Sequence, residues 1–430
     1  MPNFSIPLSG LTAEATALSA IANNLANQNT TGYKDTRVLF SDLFYQNLGT
    51  TGSGDPIQLG AGTQVGSLPS TFTQGSVTST GVPTDVAIQG NGFFVVQSGN
   101  IVSYTRAGNF SVDKDNFLVT AEGQQVLGYP AVNGLVNTGQ ALAPLQLGAG
   151  TISPPTTTTT LQIQTNLDAG ATVNGTDGTY STPMTVYDSL GASHSLTFTF
   201  TKTAANTWGY SISVPASDLN PIPGQNGGNP TPQTGVLATG TLTFDGNGNL
   251  IGPKDNNGNL VANIAVTATH LADGASDMAF NWNLVNGTTP VITQVAAPSS
   301  TSSTQQNGSS SGTLTNFSIG SDGTVTGSFS NGKTAALGQV ALASFANVQG
   351  LERSGDTDYT ETLASGQAVL GTAGTGGRGT LAGGSLELSN VDISTEFANL
   401  IVAQRAFEAN AKAVTTFDQI TQDTINLKQA

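Results

Sequence analysis

Residues 19–34 read SAIANNLANQNTTGYK, and this stretch contains the end of a helical pattern. Upstream of it, residues 1–28 hold one charged side chain, Glu14, and no glycine after Gly10. Small and apolar residues recur there with the 4-3-4-3 spacing of a heptad seam, at Leu11, Ala15, Leu18, Ala22 and Leu25. Asparagines and a glycine then break the pattern. The sequence therefore predicts a helix that ends near residue 28.

A second helical pattern lies at the C-terminus. Ser389 and Asp392, three residues apart, predict a capping pair at its start. A helix over residues 391–427 would be roughly 55 Å long. Polar residues interrupt its apolar stripe at Gln404, Asp418 and Thr421. The stripe itself consists of Ile393, Phe397, Leu400, Phe407, Ala411, Val414 and Ile425.

Neither helix has an apolar face wide enough to form a core alone, so we expect the two to pair as a coiled coil and to drive self-association. The predicted self-assembly residues are Leu11, Leu18, Ile21, Ala22, Leu25, Phe397, Leu400, Phe407, Ala411 and Val414. In this prediction, the alanine-rich flanks face other copies of the chain: Ala13, Ala17, Ala20, Ala403, Ala406 and Ala413. The alternative is that both helices lie on the β body of their own chain.

The middle of the chain has the pattern of β-strands. Residues 196–200 and 208–214 alternate apolar and polar side chains around a loop at Ala204–Thr207, which indicates a hairpin. Further turn sequences follow short strands at residues 113–116, 245–248 and 320–323. The expected fold class is mainly β with α-helical termini, with antiparallel sandwich-like or barrel-like domains between them.

Changes in composition suggest four regions. The terminal helices (1–28 with 391–430) form the first, and extended connecting segments (29–71 with 373–390) form the second. A middle β domain (72–148 with 313–372) and an outer β domain (149–312) complete the division. We predict linkers at the Pro/Gly/Asn-rich residues 215–235 and the Ser/Thr-rich residues 296–313, and a flexible joint at the glycine-rich residues 371–384.

The composition argues against several classes of function. Charged residues make up 9% of the chain, against roughly 25% in an average domain. This suits a subunit that covers its surface with copies of itself, or alternatively a Thr/Ser/Asn-rich extracellular β protein. The net charge of −15, with unclustered cations, argues against nucleic acid as a partner. The absence of cysteine excludes disulfides and thiolate chemistry.

Membrane insertion and a cleaved leader are not expected. No run of about 18 apolar residues occurs, and the first basic residue is Lys34, so the charged start of a secretory signal is missing. The chain is therefore expected to be cytoplasmic, or to be exported without cleavage.

Motifs for chemistry are weak, and no catalytic, cofactor-binding or metal-binding residue is predicted. The glycines at 374, 376 and 379 match a dinucleotide-binding spacing without the required strand–turn–helix, and residues 308–312 match G-x-S-x-G inside a low-complexity run. His194 and His270 are expected at surface or strand positions. The calcium-like run at 255–259 lacks the glutamate at its twelfth position and is interpreted as a β-turn.

The quoted stretch closely resembles the N-terminal signature of the bacterial flagellar rod, hook and hook-associated proteins. Its signature residues are Asn23, Asn24, Asn27, Asn29, Gly32 and Tyr33. Residues 389–392, with Glu396-Phe397 and the run at 404–410, are similar to the family's C-terminal signature. The resemblance implies that the terminal helices form the inner tube of an axial polymer.

Internal segments resemble the hook members of this family, above all residues 186–191 leading into 206–208. The resemblance implies a structural, non-enzymatic subunit of the flexible joint between rod and filament, exported uncleaved through the flagellar type III apparatus. Its implied partners are other copies of itself and the hook cap, distal rod and hook–filament junction proteins. A distal rod protein is the alternative, although the long region 149–312 argues against it.

Overall fold

The computed structural model describes residues 5–147, 151–222 and 232–429. Two α-helices lie at the ends of this described chain, α1 (Ser5–Ala26) and α2 (Ile393–Gln429), and β-strands fill the space between them in the sequence. The expected fold class, mainly β with helical termini, is confirmed. Among the described residues, no helix combines the length and the apolar character needed to cross a membrane.

The strands are short and numerous. In residues 39–144 they are β1 (Leu39–Asp42), β2 (Gln46–Thr50), β3 (Pro56–Leu59), β4 (Thr63–Ser67), β5 (Val77–Ser79), β6 (Val86–Gln89), β7 (Phe93–Ser98), β8 (Ile101–Thr105), β9 (Ser111–Val112), β10 (Leu118–Val119), β11 (Gln125–Val132), β12 (Leu135–Val136) and β13 (Ala143–Pro144). In residues 152–306 they are β14 (Ile152–Ser153), β15 (Thr160–Asp168), β16 (Thr179–Tyr187), β17 (Ser193–Ala204), β18 (Thr207–Ser213), β19 (Val236–Phe244), β20 (Leu250–Gly252), β21 (Asn263–Ala268), β22 (Met278–Asn283), β23 (Val285–Asn286), β24 (Thr289–Pro290), β25 (Ile292–Val295) and β26 (Ser300–Gln306). The remainder are β27 (Gly312–Ile319), β28 (Thr324–Phe329), β29 (Thr334–Ser344), β30 (Glu352–Gly355), β31 (Asp358–Thr360), β32 (Val369–Thr372), β33 (Thr380–Gly383) and β34 (Ser385–Glu387).

The chain divides into two compact units. The first comprises Met1–Ala149, Asn316–Ser328 and Thr334–Ala430, and therefore includes both helices. The second comprises Gly150–Thr315 and Phe329–Lys333. The finer division into four regions stays a prediction.

The second unit is a β-sandwich. One sheet has the strand order β16-β17-β18-β19-β20, and the other has β21-β22-β15-β25 with β26 also paired to β15. Alternate side chains of each sheet enter one shared core, in which the Phe198 and Trp282 rings lie 5.2 Å apart. The sandwich confirms the period-two patterns. However, β15 runs parallel to β22 and β25, a pairing that alternation alone does not reveal.

The first unit contains a sheet in which β28, β29, β11, β7, β8, β31 and β30 follow one another. Strand β7 is buried on both faces, because Phe93 and Val95 enter one core while Phe94 and Val96 enter another. Such a strand appears in the sequence as a continuous apolar run, as residues 93–96 do.

The four predicted turns are confirmed. The chain reverses between β17 and β18, β9 and β10, β19 and β20, and β27 and β28. At the first of these, Asn206 has a φ of 55°, a left-handed conformation that asparagine tolerates. The run at 255–259 is a β-turn, in which the Asp255 carboxylate accepts hydrogen bonds from the backbone of Asn257 and Asn259.

Two predicted flexible segments are structured instead. Residues 300–306, placed in a linker, form β26, which pairs along β15, because backbone hydrogen bonds need no apolar side chains. Part of the glycine-rich run 371–384 forms β33, which pairs with β6 and buries Leu381. Its glycines permit close backbone approach rather than motion. The other predicted linker, 215–235, is described only outside residues 223–231.

Candidate assembly site

Helices α1 and α2 pack against each other in antiparallel orientation. A Cβ added at Gly10 would lie 2.9 Å from the Asn410 amide nitrogen, and Asn24 lies near Glu396. Moving 14 residues forward along α1 thus moves 14 residues backward along α2. The predicted pairing of the two chain ends is present in the structure.

The pair uses a different face of α1 from the predicted one. The buried residues of α1 are Pro7, Gly10, Ala13, Ala17 and Asn24. Among the predicted seam residues, Leu11, Leu18, Ile21 and Leu25 are half-buried, whereas Ala15 and Ala22 are exposed. The predicted seam residues are therefore not the most buried residues of α1 in the folded chain, and their role in self-assembly stays a prediction. Small side chains let the helix axes approach, so the alanine face packs inside the chain and the leucine face remains partly accessible.

Helix α1 also contacts the two-stranded sheet formed by β1 and β4. The backbone N–H of Thr63 donates to the Ser9 hydroxyl at 3.2 Å, and the Gly62 backbone passes close to the same side chain. From the sequence, we considered pairing of the two helices and packing of the helices on the β body of the same chain. Both apply to α1, because it packs on α2 and on a β element of its own unit.

Helix α2 begins one position after its cap. The Asp392 carboxylate accepts the N–H groups of Ser394 and Thr395, at 2.8 and 3.1 Å, so Asp392 is the N-cap. Ser389 was expected to share this role, but its hydroxyl instead accepts the N–H of Val391. Ser389 lies three positions before the N-cap Asp392 and is therefore outside the helix.

The predicted residues of α2 differ in exposure. Leu400, Phe407, Ala411 and Val414 are half-buried, whereas Phe397 is exposed. The buried positions are Glu396 and Ala403. A group of large apolar side chains is exposed on α2, namely Ile393, Phe397, Ile401, Val402, Ile420, Ile425 and Leu427.

The last part of α2 extends past the described start of α1. Because Asn410 lies beside Gly10, a position near residue 415 lies beside Ser5. About 14 further residues of α2 follow, a length of roughly 20 Å. Ile420, Ile425 and Leu427 in this extension have no α1 residue opposite them within the described chain.

The signature residues form the turn that follows α1. Asn24 is buried, and its amide oxygen accepts hydrogen bonds from the Tyr33 hydroxyl and the Thr36 backbone. Asn23 donates to the Tyr33 hydroxyl at 3.2 Å. Asn27 bonds back to the Asn23 carbonyl, whereas Asn29 is exposed. The asparagines thus act mainly as hydrogen-bonding groups that end the helix and fold the chain back.

Gly32 cannot be replaced without strain at this turn. Its φ is 69°, and an added Cβ would lie 2.6 Å from the Ala107 nitrogen and the Arg106 carbonyl carbon. Its N–H donates to the Glu387 carbonyl at 2.8 Å. This glycine therefore permits contact between the signature turn, the β core and the segment that precedes α2.

A buried ion cluster joins the same three parts of the chain. Lys34 and Glu387 have fully buried side chains, with Nζ and Oε1 2.6 Å apart, and Arg106 contacts the other Glu387 oxygen at 3.2 Å. Burial lowers the pKa of Lys34 and of Arg106, and Glu387 opposes both shifts. The Thr73 carbonyl also accepts from Lys34. One carboxylate thus compensates two buried cations that are far apart in sequence.

Asn390 adds a second contact between the chain ends. Its amide nitrogen donates to the Asp35 carboxylate at 3.0 Å and to the Thr71 carbonyl at 2.8 Å, while its oxygen accepts the Asp35 N–H. Arg106, Glu387 and Asn390 were not selected from the sequence as site residues. In a chain with so few charges, an isolated Glu387 in an apolar strand was the signal that could have identified that residue.

Comparison with known families agrees with this architecture. Residues 6–34 match "Flagella basal body rod protein", and residues 382–427 match "Flagellar basal body rod FlgEFG protein C-terminal". Residues 87–166 match "Flagellar hook protein FlgE/F/G D1 domain", and residues 160–309 match "Flagellar basal body protein FlaE D2 domain". These matches identify the chain, with its paired terminal helices and the β units between them, as a flagellar axial protein.

Relatives that match over the full length of the chain are hook proteins. The flagellar hook protein FlgE of Escherichia coli (strain K12) is 37% identical over 99% of this chain and 100% of the relative. The protein of the same name from Treponema pallidum (strain Nichols) is 35% identical over 98% of both chains. The crystal structure of Helicobacter pylori flagellar hook protein FlgE2 covers 72% of this chain and 100% of its own, with 16% identity and a TM-score of 0.49. The chain belongs to the flagellar hook protein family.

Proposed function

We propose that this chain is the structural subunit of the bacterial flagellar hook. Copies self-assemble helically, with α1 and α2 innermost, into the flexible joint that transmits torque from rod to filament. Full-length similarity to hook proteins favours this function over that of a distal rod protein. The family is structural, and the proposal contains no catalytic step.

The observation that carries the proposal is the exposed apolar face of α2. Ile401 and Val402 are 59% and 68% exposed, and the extension beyond α1 adds three more exposed apolar side chains. A helix that leaves this much apolar surface uncovered gains free energy when a neighbouring copy covers it. Because each chain presents the same helices, repeated contacts of this kind generate a helical polymer.

In this polymer, we assign the predicted self-assembly residues of α1 to contacts between copies, and not to the pairing of α1 with α2 within one chain. The leucine face of α1, with Leu11, Leu18, Ile21 and Leu25, remains half-buried after α1 has packed on α2. In the proposed polymer it contacts a neighbouring copy, as does Phe397 on α2. Ala13 and Ala17 are already buried within the chain and are not available for that contact.

The proposed location is the hook of the flagellum, outside the cell, reached through the flagellar type III export apparatus without cleavage of a leader. The proposed end contacts of the polymer are the distal rod on one side and the hook cap and hook–filament junction proteins on the other. Nucleic acid and membrane insertion are not part of this proposal.

Electron microscopy of cells lacking this gene tests the assignment. We expect basal bodies with complete rods and no hooks, and restoration of hooks when the gene is supplied from a plasmid. Truncated rods would identify the chain as a rod subunit instead. Normal hooks in the deletion strain would reject both assignments.

A further inference from the structure

One histidine of the second unit lies among three carboxylates. His194 in β17 was expected at a surface or strand position; it is in a strand but is 7% exposed. Its Nε2 atom lies 3.0 Å from Asp188 Oδ2 and 3.6 Å from Asp273 Oδ2, and its Nδ1 atom lies 3.1 Å from Asp218 Oδ2. The contact between Asp273 and His194 joins residues 79 positions apart and was not predicted from the sequence.

The backbone orients the two carboxylates that face Nε2. Asp188 Oδ1 accepts hydrogen bonds from the N–H groups of Leu190 and Ala192, and Asp273 Oδ1 accepts from Ala275. In both aspartates the backbone thus occupies Oδ1, and Oδ2 is the oxygen that faces the imidazole. The two Oδ2 atoms and Nε2 lie within 4.8 Å of one another.

A neutral His194 does not satisfy this arrangement. When Nδ1–H donates to Asp218, the lone pair of Nε2 points toward two carboxylates, which are hydrogen-bond acceptors when ionised. This geometry requires either a proton, on Nε2 or on one of the carboxyl groups, or a metal ion between these atoms. No lysine or arginine of the described chain lies within ion-pairing distance of these carboxylates.

The spacing of the three atoms suits a metal ion. In a tetrahedral zinc site, bonds of about 2.0–2.1 Å place neighbouring ligand atoms about 3.3 Å apart. The observed separations of 3.0 and 3.6 Å lie on either side of that value. In addition, a ligating histidine in such sites usually donates its other N–H to a carboxylate, as Nδ1 does here to Asp218.

We propose that His194 Nε2, Asp188 Oδ2 and Asp273 Oδ2 bind a divalent transition-metal ion of the zinc type. Asp218 orients the imidazole, and water occupies the fourth position on the side where Asp273 is 30% exposed. Imidazole together with carboxylate favours zinc over calcium, which prefers oxygen ligands alone.

The ion would link two loops to a strand. Asp188 lies in the loop after β16, Asp273 in the turn before β22, and His194 at the start of β17. The Ser276 N–H already donates to the Ser189 hydroxyl, so these two loops are in contact without the ion. Metal binding to this folded arrangement alone would stabilise the second unit.

Calorimetric titration of the full-length, EDTA-treated chain with zinc chloride tests the proposal. We expect binding of one zinc ion per chain, little binding of calcium chloride, and a higher midpoint of thermal unfolding with zinc. Trp208 and Trp282 are the two tryptophans of the chain and lie in the core of this unit, so their fluorescence reports on its unfolding. Absence of zinc binding to the wild-type chain would overturn the proposal.

Variants locate the site. Asp273→Asn and His194→Gln should lose the bound zinc and the shift in midpoint, and Asp218→Asn should weaken binding by about 10–100-fold. Asp277→Asn is the matched control, because Asp277 accepts from the His270 backbone and an asparagine oxygen can do the same. Zinc bound equally by Asp273→Asn would show an adventitious surface site and reject the proposal.

Discussion

Glu387 is the residue on which the junction between the chain ends depends electrostatically. It contacts Lys34 and Arg106 through different oxygens, and its Oε1 also accepts the Gly75 N–H. Replacing a complete buried ion pair can be neutral, but removing one partner leaves the other charged without compensation. In this cluster, loss of the Glu387 carboxylate would leave both Lys34 and Arg106 buried without a compensating charge.

Glu387→Gln should therefore destabilise the first unit by about 3–5 kcal/mol. The measurement is denaturant unfolding followed by far-UV circular dichroism, which also detects the α1–α2 pair. Glu352→Gln, at an exposed position in β30, should change stability by less than about 0.5 kcal/mol. Equal stability of the two variants would show that the buried cations lose their charge or find other partners.

Glu396 presents the opposite case, a buried carboxylate that forms no ion pair in the described structure, although Arg37 is near enough to lower its pKa slightly. Its side chain faces Asn24 between the helices, and its Oε2 atom has no hydrogen-bond partner in the described structure. Burial is the main cause that raises its pKa above 4.5, and the bond to Asn24 partly opposes this. The folded chain thus holds the proton more tightly than the unfolded chain does. Stability from this group is present below pH 4.5 and is lost as pH rises through the folded-state pKa.

Glu396→Gln should consequently stabilise the helix pair at pH 7, by about 1 kcal/mol, because an amide carries no charge to bury. The gain should disappear below pH 4.5, where the wild-type carboxyl is protonated in both states. Thermal unfolding of the two chains across this pH range gives the comparison. A gain that does not vary with pH would contradict the assignment of the effect to ionisation.

At the scale of elements, the contact between α1 and α2 depends on small side chains. Ala13 and Ala17 are buried, and the Gly10 backbone lies against Asn410. A larger residue on this face would force the helix axes apart or displace a neighbouring side chain.

Ala17→Leu should separate the helices at a cost of about 1–3 kcal/mol and reduce helical content in the monomer. Ala15→Leu, two residues away on the exposed side of α1, is the control and should leave monomer stability nearly unchanged. Circular dichroism of the purified monomers distinguishes the two. If Ala15→Leu has the larger effect, the leucine face rather than the alanine face is the intramolecular contact.

The existence of the helices and hairpins was predictable from the sequence, but the packed face of α1 was not. Residues 11, 15, 18 and 25 and residues 10, 13, 17 and 24 both follow a heptad spacing, so periodicity fits either set. Apolar character alone favours the leucines as the packed face. The small distance between the two helix axes requires the smaller residues instead, and this distance is a property of the tertiary structure that the sequence does not show. Strand β26 escaped prediction for a related reason, since its pairing uses backbone groups in a Ser/Thr-rich segment.

The junction was predictable only in part. The asparagine-rich turn could be recognised by its residue types, and Asn24 and Tyr33 do lie at its centre. The partners Arg106 and Glu387 both lie far from Lys34 in the chain, Glu387 by 353 residues. No local pattern connects residues that far apart, so their contact could be found only from the folded structure.

At the scale of the whole molecule, an apolar surface remains after the monomer has folded. Ile401→Asp should leave monomer stability nearly unchanged, because this side chain is exposed, but should prevent polymer formation by placing a charge in the proposed contact between copies. Hooks counted by electron microscopy in cells expressing the variant give the readout. Ile401→Leu, which keeps the position apolar, is the matched control and should leave hooks intact, whereas intact hooks with Ile401→Asp would exclude this face from assembly.

The pairing of Lys34 with Glu387 can form only late in synthesis. These residues are 353 positions apart, so at a synthesis rate of about 5–20 residues per second the lysine waits roughly 20–70 s for its partner. The second unit, by contrast, is complete once residue 333 has been made. During that interval α1 has neither α2 nor the ion cluster to hold it, and of the contacts described above only the one with β1 and β4 is available to it.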